Sequence, residues 1–125
     1  MSFAIWSLLI AALLPLVAIG PAKLNRSYNN AYPRDPEYWR KGFRARAQGA
    51  HQNSYEAFPF YAVAVLVALW QQGDPYWINQ LCGLYIAMRL IYIFCYWTNR
   101  PSLRSTSWAV GLIAALAIFT SPVWS

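Results

Sequence analysis

Apolar positions along the chain gather into four blocks, and the polar residues between them set the connections. Residues 3–20 are uncharged, with Lys23 and Arg26 following directly. A second apolar run, Ala57 to Trp70, is too short to cross about 30 Å of hydrocarbon at 1.5 Å per residue, so the polar half of its helix must complete the crossing. The third block follows the turn Gln71-Gln72-Gly73-Asp74-Pro75, where Asp74 is an N-cap and Pro75 a first helical residue, and it breaks at Asn99-Arg100-Pro101. The Ser105 to Ser107 run is suited to cap the fourth. The pattern predicts an all-α membrane protein of one domain, residues 1–125, with four transmembrane helices over about 3–20, 50–70, 76–97 and 107–123 and a basic loop over about 21–46. Asp35-Pro36-Glu37 predicts that the second helix starts well out in that loop, and Pro15 predicts a kink in the first.

Composition sharpens this picture. Charged residues make up 11% of the chain and apolar ones 58%, against about 25% charged in a soluble domain, so the apolar blocks must face something other than water. The partner is a lipid bilayer, and no nucleic acid is called for. Nine of the ten Lys and Arg crowd the first and third connections and leave the second empty, which predicts a multi-pass protein of an inner or cytoplasmic membrane with both termini outside and both basic loops in the cytoplasm. Because the positive charge follows the first apolar block and does not precede it, that block is expected to stay as a span. Trp6, Trp70, Trp77, Trp97, Trp108 and Trp124 fall near span ends, as interfacial anchors should. Cys82 and Cys95 sit on one helix roughly 20 Å apart, too far for a disulfide, and with His51 they make no metal-binding pattern.

Chemistry is expected where polar residues enter the spans, since a charge there is costly and usually functional. At 100° per residue, Arg46, Gly49, Asn53 and Glu56 share an arc of about 80° on the second helix, while His51 faces elsewhere, suited to an interhelix hydrogen bond. Tyr85, Arg89, Tyr92, Tyr96 and Asn99 share a similar arc of about 80° on the third. Glu56 and Arg89 are expected to pair. That leaves Arg46, Asn53 and the tyrosines for a polar ligand near the cytoplasmic end, and guanidiniums, an amide, a carboxylate and phenols suit a zwitterionic, peptide-like molecule.

The run Arg46-Ala47-Gln48-Gly49-Ala50-His51-Gln52-Asn53-Ser54-Tyr55-Glu56-Ala57-Phe58-Pro59 resembles the second-helix signature of the MAPEG superfamily, the membrane-associated proteins in eicosanoid and glutathione metabolism. Arg89, Tyr92, Tyr96, Pro101, Arg104 and Ser105 resemble its second block, and length and basic first loop are similar to bacterial-type members related to microsomal glutathione transferases. The resemblance implies a homotrimer of four-helix protomers with glutathione as co-substrate at each subunit interface and no metal. It implies glutathione contacts at Arg46, Asn53, Glu56, Arg89, Tyr92 and Tyr96, and a catalytic arginine facing the sulfur at Arg104, with Arg100 as the alternative. Gly49 departs from the family, which often has an arginine there; the resemblance leaves that carboxylate contact missing or supplied by Arg44 or the first loop, with Lys23 as the basic residue after the first helix.

The activity this implies is a membrane-bound glutathione-dependent transferase or peroxidase acting on lipophilic electrophiles through an arginine-stabilised thiolate, a detoxification chemistry. The alternative is a non-catalytic member that binds lipid or ligand. A small multidrug transporter would need a carboxylate in the first span, and residues 3–20 contain none.

Overall fold

The computed structural model describes residues 1–125 as four helices and no strand: α1 (Phe3–Lys23), α2 (Gly42–Trp70), α3 (Pro75–Trp97) and α4 (Pro101–Trp124). Around the bundle they run in the order α1, α2, α4, α3, with α2 and α3 touching across the short diagonal and α1 and α4 out of contact. Three of them, α1, α3 and α4, are long and apolar enough to cross a membrane. The fourth, α2, has 29 residues, about 43 Å of helix, so its length suffices even though its first half is polar.

The ends of α2 and α3 follow from local chemistry. Asp74 accepts a hydrogen bond from the Tyr76 N–H at 2.9 Å, and Pro75 opens α3 without an orphan donor, as the sequence predicts. Both α2 and α3 close with a residue at positive φ, Gln72 (59°) and Asn99 (57°). In each case the next N–H reaches back to the helix, Gly73 to the Ala68 carbonyl and Arg100 to the Cys95 carbonyl, forming Schellman caps.

Two expected starts are corrected. Asp35-Pro36-Glu37 does not open α2: Asp35 accepts from the Glu37 N–H at 3.1 Å in an Asx turn, and the helix begins at Gly42, whose φ of 70° no continuous helix would allow. Residues 36–41 are too few to repay helix nucleation before that glycine. At the other junction α4 begins at Pro101, not Ser107, because Arg100 is non-helical (φ −113°, ψ 80°) and proline is preorganised for the first turn. The serines therefore lie inside α4, with the Ser107 hydroxyl bonded to the Arg104 carbonyl. α1 also continues past Gly20 to Lys23.

Tertiary contacts fix the first loop instead of a helix. Trp39 is 6% exposed, packs with Ile19, Ala22 and Ala47, and donates its indole N–H to the Pro33 carbonyl at 2.9 Å. Tyr38 donates to the Ala22 carbonyl and stacks edge-on against Trp39 and Tyr28. Trp97 donates to the Ala18 carbonyl at 2.9 Å, tying α3 to α1 at the same end of the bundle. This end carries both basic connections; the opposite end gathers both termini and the α2–α3 turn, joined by Ala4 N–H to Asn79 and Asp74 N–H to Ser125.

The Trp39 anchor predicts a protease phenotype. Trp39→Ala should raise the rate of tryptic cleavage after Arg34 or Arg40 in detergent about tenfold, by freeing the loop from α1 and α2; an unchanged rate would mean that Tyr38 alone holds the loop.

Candidate functional site

The candidate site is built on the polar stripes of α2 and α3, with α4 beside them. Arg89 on α3 is 3% exposed, a guanidinium inside an otherwise apolar bundle. Its terminal nitrogen donates to Asn53 Oδ1 at 2.7 Å and more weakly to the Ser54 hydroxyl at 3.4 Å, both from α2. Its charge lies over the Tyr92 ring, 4.4 Å from the centroid. The expected Glu56–Arg89 ion pair is not formed. The ion pair in this chain is Arg40 with Glu37 on the exposed loop. One residue decides the difference: Asn53 lies a turn from Glu56 on the same face of α2 and reaches the guanidinium first.

Glu56 is instead exposed and lines a cleft of about 260 Å³ together with Asn53, Phe60, Tyr85, Arg89 and Trp108, between α2, α3 and α4. Trp108, which the pattern suggests as an interfacial anchor, is thus part of a cleft wall because α4 starts six residues earlier than expected. Trp97 likewise serves as an α3–α1 tie. Tyr85 has its own support: it stacks on Tyr61 with centroids 3.8 Å apart, and the Tyr61 hydroxyl is 2.6 Å from that of Ser7 in α1.

The α3 stripe continues toward the basic end as a ladder. The Tyr92 and Tyr96 rings meet edge to face at 5.7 Å, and Arg104, half-buried in the first turn of α4, lies over Tyr96 at 4.5 Å. Arg104, Tyr96, Tyr92, Arg89 and Asn53 therefore form one chain of contacts from the bundle mouth to its interior. Arg100 is exposed outside this chain. Arg46 joins at the mouth, where its Nε donates to the Trp97 carbonyl at 3.3 Å near the negative end of the α3 dipole. Tyr92 is largely core, packed with Leu14, Ala18, Ala50 and Ile93, and Asn99 leaves the stripe at the end of α3.

His51 keeps to its own face, with Nδ1 2.7 Å from the Pro15 carbonyl of α1. It borders a second, larger cleft of about 680 Å³ under the first loop, lined also by Lys23, Arg34, Gln48, Gln52 and Glu56. Glu56 thus borders both clefts. Sequence reasoning missed Arg34, whose place depends on the Trp39 to Pro33 clamp; Arg44 turns away to Ser27 (2.9 Å) and the Tyr38 ring (4.2 Å). Cys82 and Cys95 are buried and unpaired.

The absence of a Glu56–Arg89 bond predicts unequal mutants. Asn53→Ala strips a buried cation of its short acceptor and should cost about 2 kcal/mol, measured as a fall in the thermal unfolding midpoint in detergent. Glu56→Gln should change that midpoint little. Equal losses would make Glu56 the true counter-charge.

The model of the MAPEG family matches residues 3–124. No curated protein and no solved structure matches the chain.

Proposed function

The chain belongs to the MAPEG family, and from that premise we propose that it is a glutathione-dependent transferase or peroxidase that attacks lipophilic electrophiles with a thiolate stabilised by Arg104. The observation that carries this reading is the seating of Arg104 on Tyr96 at the mouth of a polar chain leading to Arg89 and Asn53, while the Arg100 side chain is exposed and makes no contact with that chain.

Glutathione brings two carboxylates, an amine and a thiol. Arg46 has its Nε engaged with the Trp97 carbonyl, which leaves its terminal nitrogens to meet a carboxylate. Glu56, not spent on Arg89, is available to the amine, and Asn53 supplies an amide edge beside it. Lys23 and Arg34 supply cationic groups in the larger cleft, and Arg34 is the first-loop residue best suited to replace the arginine missing at Gly49. We place glutathione between the α2–α3–α4 cleft of one protomer and the loop cleft of its neighbour in a homotrimer, with all four helices spanning the bilayer, the basic end in the cytoplasm and both termini outside.

A free thiol, with a pKa near 8.5, is mostly protonated at neutral pH, and the thiolate is the nucleophile. A guanidinium within hydrogen-bonding reach of sulfur favours the anion and keeps its own charge throughout, so it needs no proton transfer to act. The thiolate then forms a bond to an electrophilic carbon and expels its leaving group, or attacks a peroxide oxygen and breaks the O–O bond, giving glutathione sulfenic acid and an alkoxide that takes up a proton; a second glutathione then condenses with the sulfenic acid to disulfide and water. The lipophilic substrate arrives through the bilayer, past the exposed Phe60 and Trp108 at the cleft wall.

Two outcomes are expected. Arg104→Ala should abolish the ultraviolet absorbance of bound thiolate and lower turnover with a generic aromatic electrophile by about two orders of magnitude, whereas Arg100→Ala should retain both. Swapped results would assign the role to Arg100, and a signal kept by both variants would favour a non-catalytic binder. Arg46→Ala should raise the KM for glutathione about tenfold and leave most of kcat, as loss of uniform binding does; the opposite split would make Arg46 catalytic.

A further inference from the structure

Tyr96 is held on three sides, and one of them is a hole in α2. A Cβ built on Gly49 would lie 2.6 Å from the Cζ of Tyr96 and closer still to its hydroxyl oxygen, distances that no side chain tolerates without displacement. The phenol end of Tyr96 therefore occupies the notch that Gly49 leaves in the helix. Tyr92 closes the ring from α3, edge to face at 5.7 Å, and Arg104 covers it from α4 at 4.5 Å. The notch belongs to the backbone of α2 and what fills it is the end of the half-buried Tyr96 side chain, so a methyl at Gly49 would be met by movement of the ring and not of the helix.

We infer that Gly49 and Tyr96 are positioning residues for Arg104: the notch fixes the phenol ring, and the ring face fixes the guanidinium. This rests on the reading that Arg104 faces the thiol sulfur. The glycine is otherwise unfavourable in mid-helix, where alanine is the better helix former, so a Gly49→Ala change should help α2 by itself and harm only what fills the notch. Displacing the ring moves the cationic head away from its seat, and an electrostatic donor loses most of its effect when it is misplaced by a fraction of an ångström to an ångström. Gly49 and Tyr96 need touch neither glutathione nor the electrophile for this to hold.

The test is a pH titration of the bound glutathione thiol by ultraviolet absorbance, on full-length protein in detergent, for wild type, Gly49→Ala, Tyr96→Leu, the double variant and Arg104→Ala. Gly49→Ala is expected to raise the midpoint by about one pH unit, a tenfold loss of thiolate at a given pH below it. Tyr96→Leu, which removes the ring face, should raise it by a similar amount and reports on the seat even if Gly49→Ala folds poorly. The double variant should match Tyr96→Leu alone, because the added methyl acts only through the ring. Additive shifts, or a Gly49→Ala midpoint equal to wild type while Arg104→Ala shifts, would overturn the positioning role and leave Arg104 at the sulfur. A titration that Arg104→Ala does not move would overturn the thiolate reading and the positioning role together.

Discussion

A guanidinium enclosed among apolar helices has to be met by polar groups, and the site is organised by how this protein meets Arg89. An acid would neutralise it, at the cost of desolvating two charges. Here the cation is held by an amide oxygen at 2.7 Å, a hydroxyl at 3.4 Å and the face of a tyrosine, all neutral. The consequence is that Glu56 keeps its charge uncommitted a turn along the same helix and presents it to two clefts. Charges of both signs stand in one region without cancelling, which is the arrangement a zwitterionic ligand requires. Tyr92, which holds Arg89, meets Tyr96, and Tyr96 carries the chain of contacts on to Arg104, so the interior of the bundle is linked to its mouth.

Much of this was legible in the residues. The two polar arcs do face one another, and Asn53, Glu56, Arg89, Tyr92 and Tyr96 come together because helical periodicity is a strong constraint over three or more turns, whereas Arg104, on α4, was indicated only by the family resemblance. Periodicity gives the face and not the reach, however. It could not say whether Asn53 or Glu56, both on the arc, would meet Arg89, nor that Gly49 would be filled by a ring from the next helix. The same limit shows at the helix starts. Asp74-Pro75 opens a helix and Asp35-Pro36 does not, although the local signals are alike, because an apolar run of full span length follows the first pair and Gly42 at positive φ follows the second. The loop that results is placed by Trp39 and Tyr38 burying themselves against α1 and α2, a tertiary effect with no local signature.

That loop brings Arg34 to the lining of the larger cleft together with Lys23. The larger cleft of one chain carries two cations and an acid, Lys23, Arg34 and Glu56, but neither Arg46 nor Arg104 is among its lining residues. In the homotrimer we propose, the loop cleft of one subunit meets the Arg104 end of its neighbour, so that glutathione is held by both. Arg104 lies over the Tyr96 ring, whose phenol end fills the notch at Gly49, and the proposed role at the sulfur would depend on that seat.

The central claim is that binding converts glutathione to its thiolate. Isothermal titration of the detergent-solubilised protein at neutral pH, repeated in buffers of different ionisation enthalpy, counts the protons released. The account predicts release of about one proton per glutathione bound, because the free thiol is mostly protonated there, and none with S-methylglutathione, which has no thiol proton to lose. Equal proton release with both ligands, or none with either, would contradict it.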